Sequence, residues 1–186
     1  MINIFKNTTI LAIKKLLKFK RNFILQNAIS SGMHVGAGTI FVGNQSFGSE
    51  PYLIDIGKDC RITNGVNFIC HDGAWCVACG VQGIPLSESA GKKTIFGSIK
   101  VGDNSFLGIN AIILPGTRIG KNSIVAAGAV VRGSFPDGSV IAGNPAKVIG
   151  EIQSYIDKNK HIVVDTPSTL TSIERKLLAI KSTSPE

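Results

Sequence analysis

The stretch VGDNSF-LGINAI-ILPGTR-IGKNSI-VAAGAV-VRGSFP, Val101 to Pro136, divides into six hexads. The first position is Val101, Leu107, Ile113, Ile119, Val125 and Val131, always aliphatic. The fifth is Ser105, Ala111, Thr117, Ser123 and Ala129, always small, until Phe135 ends the run. Glycine, Asn and Asp crowd the positions between, where chains turn. A helix needs a period of 3.6 and a simple strand a period of 2. A period of six means a short strand and a turn, repeated. The aliphatic side chain points inward, and the small one lets neighbouring strands approach.

The same pattern appears upstream with interruptions. One group runs from Val35 (VGAGTI, FVGNQS, then Phe47) and another from Ile56 (IGKDCR, ITNGVN, FICHDG). Residues 35–52, 56–73, 101–118 and 119–136 each supply about one coil. The step from Phe68 to Val101 is thirty-three residues, not a multiple of six. A loop, about 74–97, therefore leaves the repeat and rejoins it. Its composition, VQGIPLSESAGKKTIFG, predicts a flexible lid.

Composition bounds the rest. The chain has 186 residues, 44% of them hydrophobic, enough for one folded domain with a small appendage. Residues 1–30 hold six basic residues and no acid; the remainder holds fourteen basic and twelve acidic. The body is nearly neutral, which argues against a nucleic-acid groove. No apolar run reaches the length of a membrane span, and lysines interrupt the N-terminal apolar stretch before a signal sequence completes. Four clustered cysteines do not form a disulfide framework, and the reading is a cytosolic, reduced protein. The organisation expected is a basic helical segment over 1–30, a repeat domain over 31–149 and a helical tail over 150–186.

Residues 8–28 read as a helix with Ile10, Ile13, Leu16, Leu17, Phe23 and Ile24 on one side. Lys14, Lys15, Lys18 and Arg21 lie on the other, while Lys20, Leu11 and Leu25 spoil the division. Two roles are expected for it: capping the open end of the repeat, or touching the inner face of a membrane. Gly150–Lys160 and Ser168–Lys181 read as two short helices around Pro167.

FICHDGAWCVACG, Phe68 to Gly80, concentrates the chemistry. Cys70, His71, Cys76 and Cys79 suggest a zinc site, but C-x₂-C occurs once, without a second pair. Cys60 falls on a small fifth position and reads as an apolar filler. His71 stands at a turn just before the repeat breaks, and histidine, with an ordinary pKa of about 6.5, suits proton transfer near neutral pH.

With FPDGSVIAGNPAKVIG at Phe135–Gly150, SEPYLIDIG at Ser49–Gly57, HDGAW at His71–Trp75 and EIQSYIDKNK at Glu151–Lys160, the chain resembles the hexapeptide-repeat acyltransferases. Within them it looks most like the maltose, galactoside and polysaccharide O-acetyltransferase branch, bacterial polysaccharide enzymes above all. The resemblance covers roughly residues 31–160. It implies an all-β-dominated fold, a left-handed parallel β-helix with an N-terminal helix, an inserted loop and short C-terminal helices. It implies acetyl transfer from acetyl-CoA to a saccharide hydroxyl by a homotrimer with active sites between subunits, direct attack in a ternary complex, and no metal. His71 is then the general base, with Glu50 or Asp72 orienting it. Ser49, Glu50 and Trp75 would meet the acceptor; the sugar enzymes carry an Asn where Ser49-Glu50 stands. Gly108, Ile109, Ala127 and Gly128 would line the pantetheine arm, and Arg132 and Lys147 the coenzyme phosphates. Two alternatives stay open: an antibiotic acetyltransferase, and a non-catalytic or metal-binding β-helix. The γ-class carbonic anhydrases need three metal histidines, and only His71 is suitably placed.

Overall fold

The computed structural model describes residues 2–183, with side chains from residue 10 onward. The chain divides into two compact units, Met1–Ile152 and Gln153–Glu186. The first opens with helix α1, Ile2–Ser30, and then winds into a parallel β-helix of three faces.

Face one stacks β1 (His34–Val35), β3 (Ile54–Ile56), β8 (Ile99–Val101), β11 (Arg118–Ile119) and β14 (Ser134–Phe135). Face two stacks β2 (Ile40–Phe41), β4 (Arg61–Ile62), β9 (Phe106–Leu107), β12 (Ile124–Val125) and β15 (Ser139–Gly143). Face three stacks β5 (Asn67–Phe68), β10 (Ile112–Ile113) and β13 (Val130–Val131), with Ser46 bridging to Asn67. Every pair among these strands is parallel and in hexad register.

The repeat becomes three inward columns. Ile56, Val101 and Ile119 align on face one, Ile62, Leu107 and Val125 on face two, and Phe68, Ile113 and Val131 on face three. All nine are buried. Phe47 continues the third column, its ring stacked on Phe68 at 5.8 Å.

The small positions are buried too, apart from half-buried Thr39, and their polar atoms bond between coils. Thr39 Oγ1 donates to the Gly57 carbonyl (2.8 Å), Ser105 Oγ to Gly120 (3.2 Å) and Ser123 Oγ to Pro136 (3.4 Å). Cys60 Sγ lies 3.2 Å from the Gly102 carbonyl in the same series. Cys60 is therefore a donor in a hydroxyl-like ladder, not an apolar filler. Burial raises its thiol pKa, which keeps the proton on sulfur.

Turns repeat with the strands. Asp59, Asn104 and Asn122 occupy one corner with φ of 54°, 52° and 55°. This left-handed region tolerates short polar side chains best after glycine. Asn104 Nδ2 donates to Asn122 Oδ1 at 2.8 Å, so the corner residues also bond coil to coil.

Phe135 does not end the repeat. Gly133, at φ 108°, turns the chain within two residues, and Phe135 then pairs with Ile119 as the first position of a further coil. Ser139 and Ile141, both buried, take the next fifth and first positions. The chain then reverses, and β16 (Ala146–Glu151) runs antiparallel to β15. The first unit extends through Ile152 because Ser139 pairs with Glu151 and Val140 with Gly150.

The inserted segment is more ordered than a lid loop. His71–Asp72 (β6) and Ile95–Phe96 (β7) form an antiparallel ribbon at its root. Between them stand α2 (Trp75–Val81) and the single turn α3 (Leu86–Ser89). Gly97 N–H donates to the Cys70 carbonyl at 2.8 Å, closing the base. Removing the twenty-seven residues 71–97 from the thirty-three-residue step leaves six, one hexad.

Helix α1 is longer than the 8–28 expected. Only its last turns meet the β-helix, through half-buried Leu25 and buried Ala28. Residues 10–20 are exposed throughout, so capping accounts for the C-terminal end of the helix alone.

The second unit carries α4, which begins at the junction (Ile152–Asn159), and α5 (Ser172–Thr183). Helix α5 starts four residues later than expected. Thr171 and Glu174 form a capping box there, with Glu174 Oε2 accepting from Thr171 N–H (2.7 Å) and Thr171 Oγ1 accepting from Glu174 N–H (3.3 Å).

The stacking leaves no room at Gly102. A Cβ there would lie 2.5 Å from Lys121 N and 2.7 Å from Gly120 C, both backbone atoms of the next coil. Gly102→Ala is expected to destabilise the fold by about 1–3 kcal/mol, in the range of other overpacking changes. Urea denaturation reads this as a lowered midpoint, and an unchanged midpoint would contradict the stacking described.

Candidate active site

His71 is the first residue of the excursion. Its Nδ1–H donates to Glu50 Oε2 at 2.7 Å. The two residues are 21 apart in sequence, about one coil, and stacking brings them together. Glu50 precedes a short 3₁₀ turn, Pro51–Leu53, whose closing Leu53 N–H donates to the Glu50 carbonyl at 3.0 Å. That turn fixes the backbone from which the carboxylate reaches.

The Glu50 side chain is 12% exposed and that of His71 41%. Hydrogen bonds from His71 and Ser49 hold the Glu50 carboxyl below the usual carboxylate range, so it is ionised near neutral pH. An ionised carboxylate only accepts hydrogen bonds. The Nδ1 proton is thereby fixed, so in the neutral ring the lone pair is on Nε2, which has no protein partner among the described residues. A half-exposed imidazole with an oriented, unoccupied Nε2 can take a proton from a bound hydroxyl. Phe96, opposite His71 on the ribbon, meets the ring edge-on at 6.4 Å.

Asp72 is not brought to the ring. Neighbours on a strand face opposite sides, and Asp72 Oδ1 instead accepts from Ala74 N–H at 2.9 Å, turning the chain into α2. Trp75 opens α2 with its indole 45% exposed. Ser49 is exposed, and its hydroxyl adds to the lowering of the Glu50 pKa.

The residues expected along a coenzyme arm fall on two stacked turns. Gly108 N–H donates to the Val125 carbonyl and Gly128 N–H to the Ile109 carbonyl, both at 2.8 Å. A Cβ on Gly108 would lie 2.5 Å from Ala127 N, so the backbones touch. Ile109, Ala127 and Gly128 are exposed beside them. Arg132, just after β13, and Lys147, on β16, are exposed and in no ion pair among the described residues.

The cysteines part company with the histidine. Burial, with a smaller contribution from the Glu50 charge, pushes the Cys70 thiol up to about 11. Thiolate is the metal-binding and nucleophilic form, so Cys70 is poorly suited to either task. Cys79 is buried, and all four cysteines are free. Among the described residues, no three His, Cys, Asp or Glu side chains converge as a metal site.

Two features escaped the sequence. Phe96 gave no periodic signal inside the excursion. His34 Nδ1–H donates to Asp55 Oδ1 at 2.7 Å, also across 21 residues. That spacing, shared with Glu50 and His71, is the signal that would have found it. Asp55 is 45% exposed and also lies 3.7 Å from Lys100 Nζ, so this second pair is a solvated surface ladder.

Comparison with known proteins agrees with this architecture. The family described as bacterial transferase hexapeptide (six repeats) matches residues 98–133. Protein CapG of Staphylococcus aureus is 42% identical over 142 residues, covering 75% of this chain and 77% of CapG. A 2,3,4,5-tetrahydropyridine-2,6-dicarboxylate N-acetyltransferase of Staphylococcus aureus (strain bovine RF122 / ET3-1) is 41% identical over 101 residues, 54% of this chain but 38% of that protein. Among solved structures, a maltose O-acetyltransferase from Clostridium difficile 630 superposes with a TM-score of 0.51 at 20% identity, covering 74% of this chain and 88% of that one. The chain belongs to the hexapeptide-repeat transferase family, and its fold is that family's left-handed parallel β-helix.

The His71–Glu50 pair has a definite pH signature. Because Glu50 ionises more readily when folded, the pair stabilises the fold at pH above the usual carboxylate range, and this contribution disappears as pH falls through the lowered Glu50 value. Glu50→Gln is expected to lower the melting temperature at pH 7 and to lower it much less at a pH well below the usual carboxylate range. A deficit of equal size at both pH values would refute the pairing.

Proposed function

We propose that the protein transfers an acetyl group from acetyl-CoA to a saccharide hydroxyl. The observation that carries this reading is the His71–Glu50 pair, with Nδ1 held at 2.7 Å and Nε2 open. Acyl transfer to a hydroxyl needs a base at the moment the oxygen attacks. His71 Nε2 takes the hydroxyl proton as that oxygen adds to the thioester carbonyl. Glu50 stabilises the resulting imidazolium. His71 then returns the proton to the departing thiolate, leaving an acetyl ester and free coenzyme. No enzyme-bound acyl group is formed, because Cys70 is buried and protonated and His71 acts on the acceptor.

The relatives support the acetyl donor: one is named an N-acetyltransferase, and a structural neighbour a maltose O-acetyltransferase. A saccharide acceptor is favoured by the exposed Trp75 face close in sequence to His71, since aromatic faces suit sugar rings. The touching turns at Gly108 and Ala127 admit a narrow pantetheine chain along their exposed edge, and Arg132 and Lys147 supply uncommitted cations for phosphates. We assign a homotrimer, in which a neighbouring copy closes the half-exposed His71 side of the site.

His71→Ala is expected to lower kcat by about 10²–10⁴-fold and to leave acetyl-CoA binding intact by calorimetry. Mass analysis after incubation with acetyl-CoA and a panel of activated sugars and glycans identifies the acceptor. Undiminished transfer by His71→Ala would remove the base assignment. Acetylation of amines alone would remove the hydroxyl acceptor.

A further inference from the structure

We propose that α1 lies flat on an anionic phospholipid surface. Its described side chains from Ile10 to Lys20 are all exposed, including Ile10 (50%), Leu16 (66%) and Phe19 (68%), and Phe23 beyond them is 64% exposed. At 3.6 residues per turn, Ile10, Ile13, Leu16, Leu17, Phe19, Phe23 and Ile24 share one half of the helix. Lys14, Lys15, Lys18 and Arg21 share the other, where Leu11 is the exposed apolar exception. Lys20 stands near the middle of the apolar half, where its long stem would have to carry the ammonium out to the headgroups.

The β-helix borders the apolar half only at its C-terminal end, where Phe23 and Ile24 line a groove with Phe47 and Pro51. The residues that pack on it are Leu25, from the basic half, and Ala28, at the border. From Ile10 to Phe19 the described side chains of the apolar half are therefore left uncovered. Charge decides the occupant. Residues 1–30 hold six basic residues and no acid, and the first acid in the chain is Glu50. A second copy of this helix would bring more cations and no counter-charge. A surface of acyl chains beneath anionic headgroups complements both halves at once. No helix among the described residues is long and apolar enough to cross a membrane, so the contact is interfacial.

The inference stands apart from the proposed reaction and is tested without it. The full chain is pelleted with vesicles of phosphatidylcholine and phosphatidylglycerol in equal parts, and with phosphatidylcholine alone. Binding is expected to the mixed vesicles only, and to weaken with added salt. Leu16→Ser with Phe19→Ser, and Lys14→Glu with Lys18→Glu, alter exposed side chains and are expected to weaken binding by about tenfold or more. Absence of vesicle binding, or equal binding to the neutral vesicles, overturns the proposal. So does a change in sedimenting mass in these variants without any vesicle binding, which would assign α1 to contact between copies.

Discussion

Every part of the first unit depends on vertical register between coils. Parallel strands stack about 4.8 Å apart, so each residue lies over its equivalent one turn of the solenoid away. An aliphatic side chain therefore meets an aliphatic one, as Val101 meets Ile56 and Ile119. A hydroxyl meets a carbonyl, as Ser105 meets Gly120. A left-handed corner meets another, as Asn104 meets Asn122. None of these contacts survives a slip of one residue, which would turn the inward column outward. Register is also what carries Glu50 to His71.

This explains what the sequence disclosed. The hexads of Val101–Val131 are visible because the interior accepts one kind of residue at each position. Phe135 looked like an end because the turn at Gly133 is two residues short, and a fixed period cannot follow a shortened turn. The helices of the excursion were hidden for a different reason. Trp75–Val81 is one short helix with a glycine inside it and much of its surface exposed, and it shows no amphipathic stripe. His71 stood out by residue type and by its place before the break. The choice between Glu50 and Asp72 was not legible. Asp72 is next to His71 in sequence, yet strand alternation turns it away, while a carboxylate 21 residues earlier is stacked into reach.

The cysteine cluster illustrates how solvent access overrides spacing. Cys70 precedes His71 directly, but it faces the interior beside an anion, where a thiolate is disfavoured twice over. Cys60 plays the part of a serine in the coil ladder. Chemistry that looked concentrated in thirteen residues is distributed instead. The sulfurs belong to packing, and the imidazole belongs to a partner from another coil.

The closing reversal has its own consequence. A parallel solenoid ends in strands whose hydrogen-bonding groups match the first strands of another copy, which invites growth into filaments. On face two, β16 lies antiparallel along β15 and occupies the edge that a following coil would use. At the other end, the last turns of α1, with Ala28 against the core, cover the entry to the stack. On that face the chain thus removes its own free edge by reversing direction, and at the other end it sets a helix against the core.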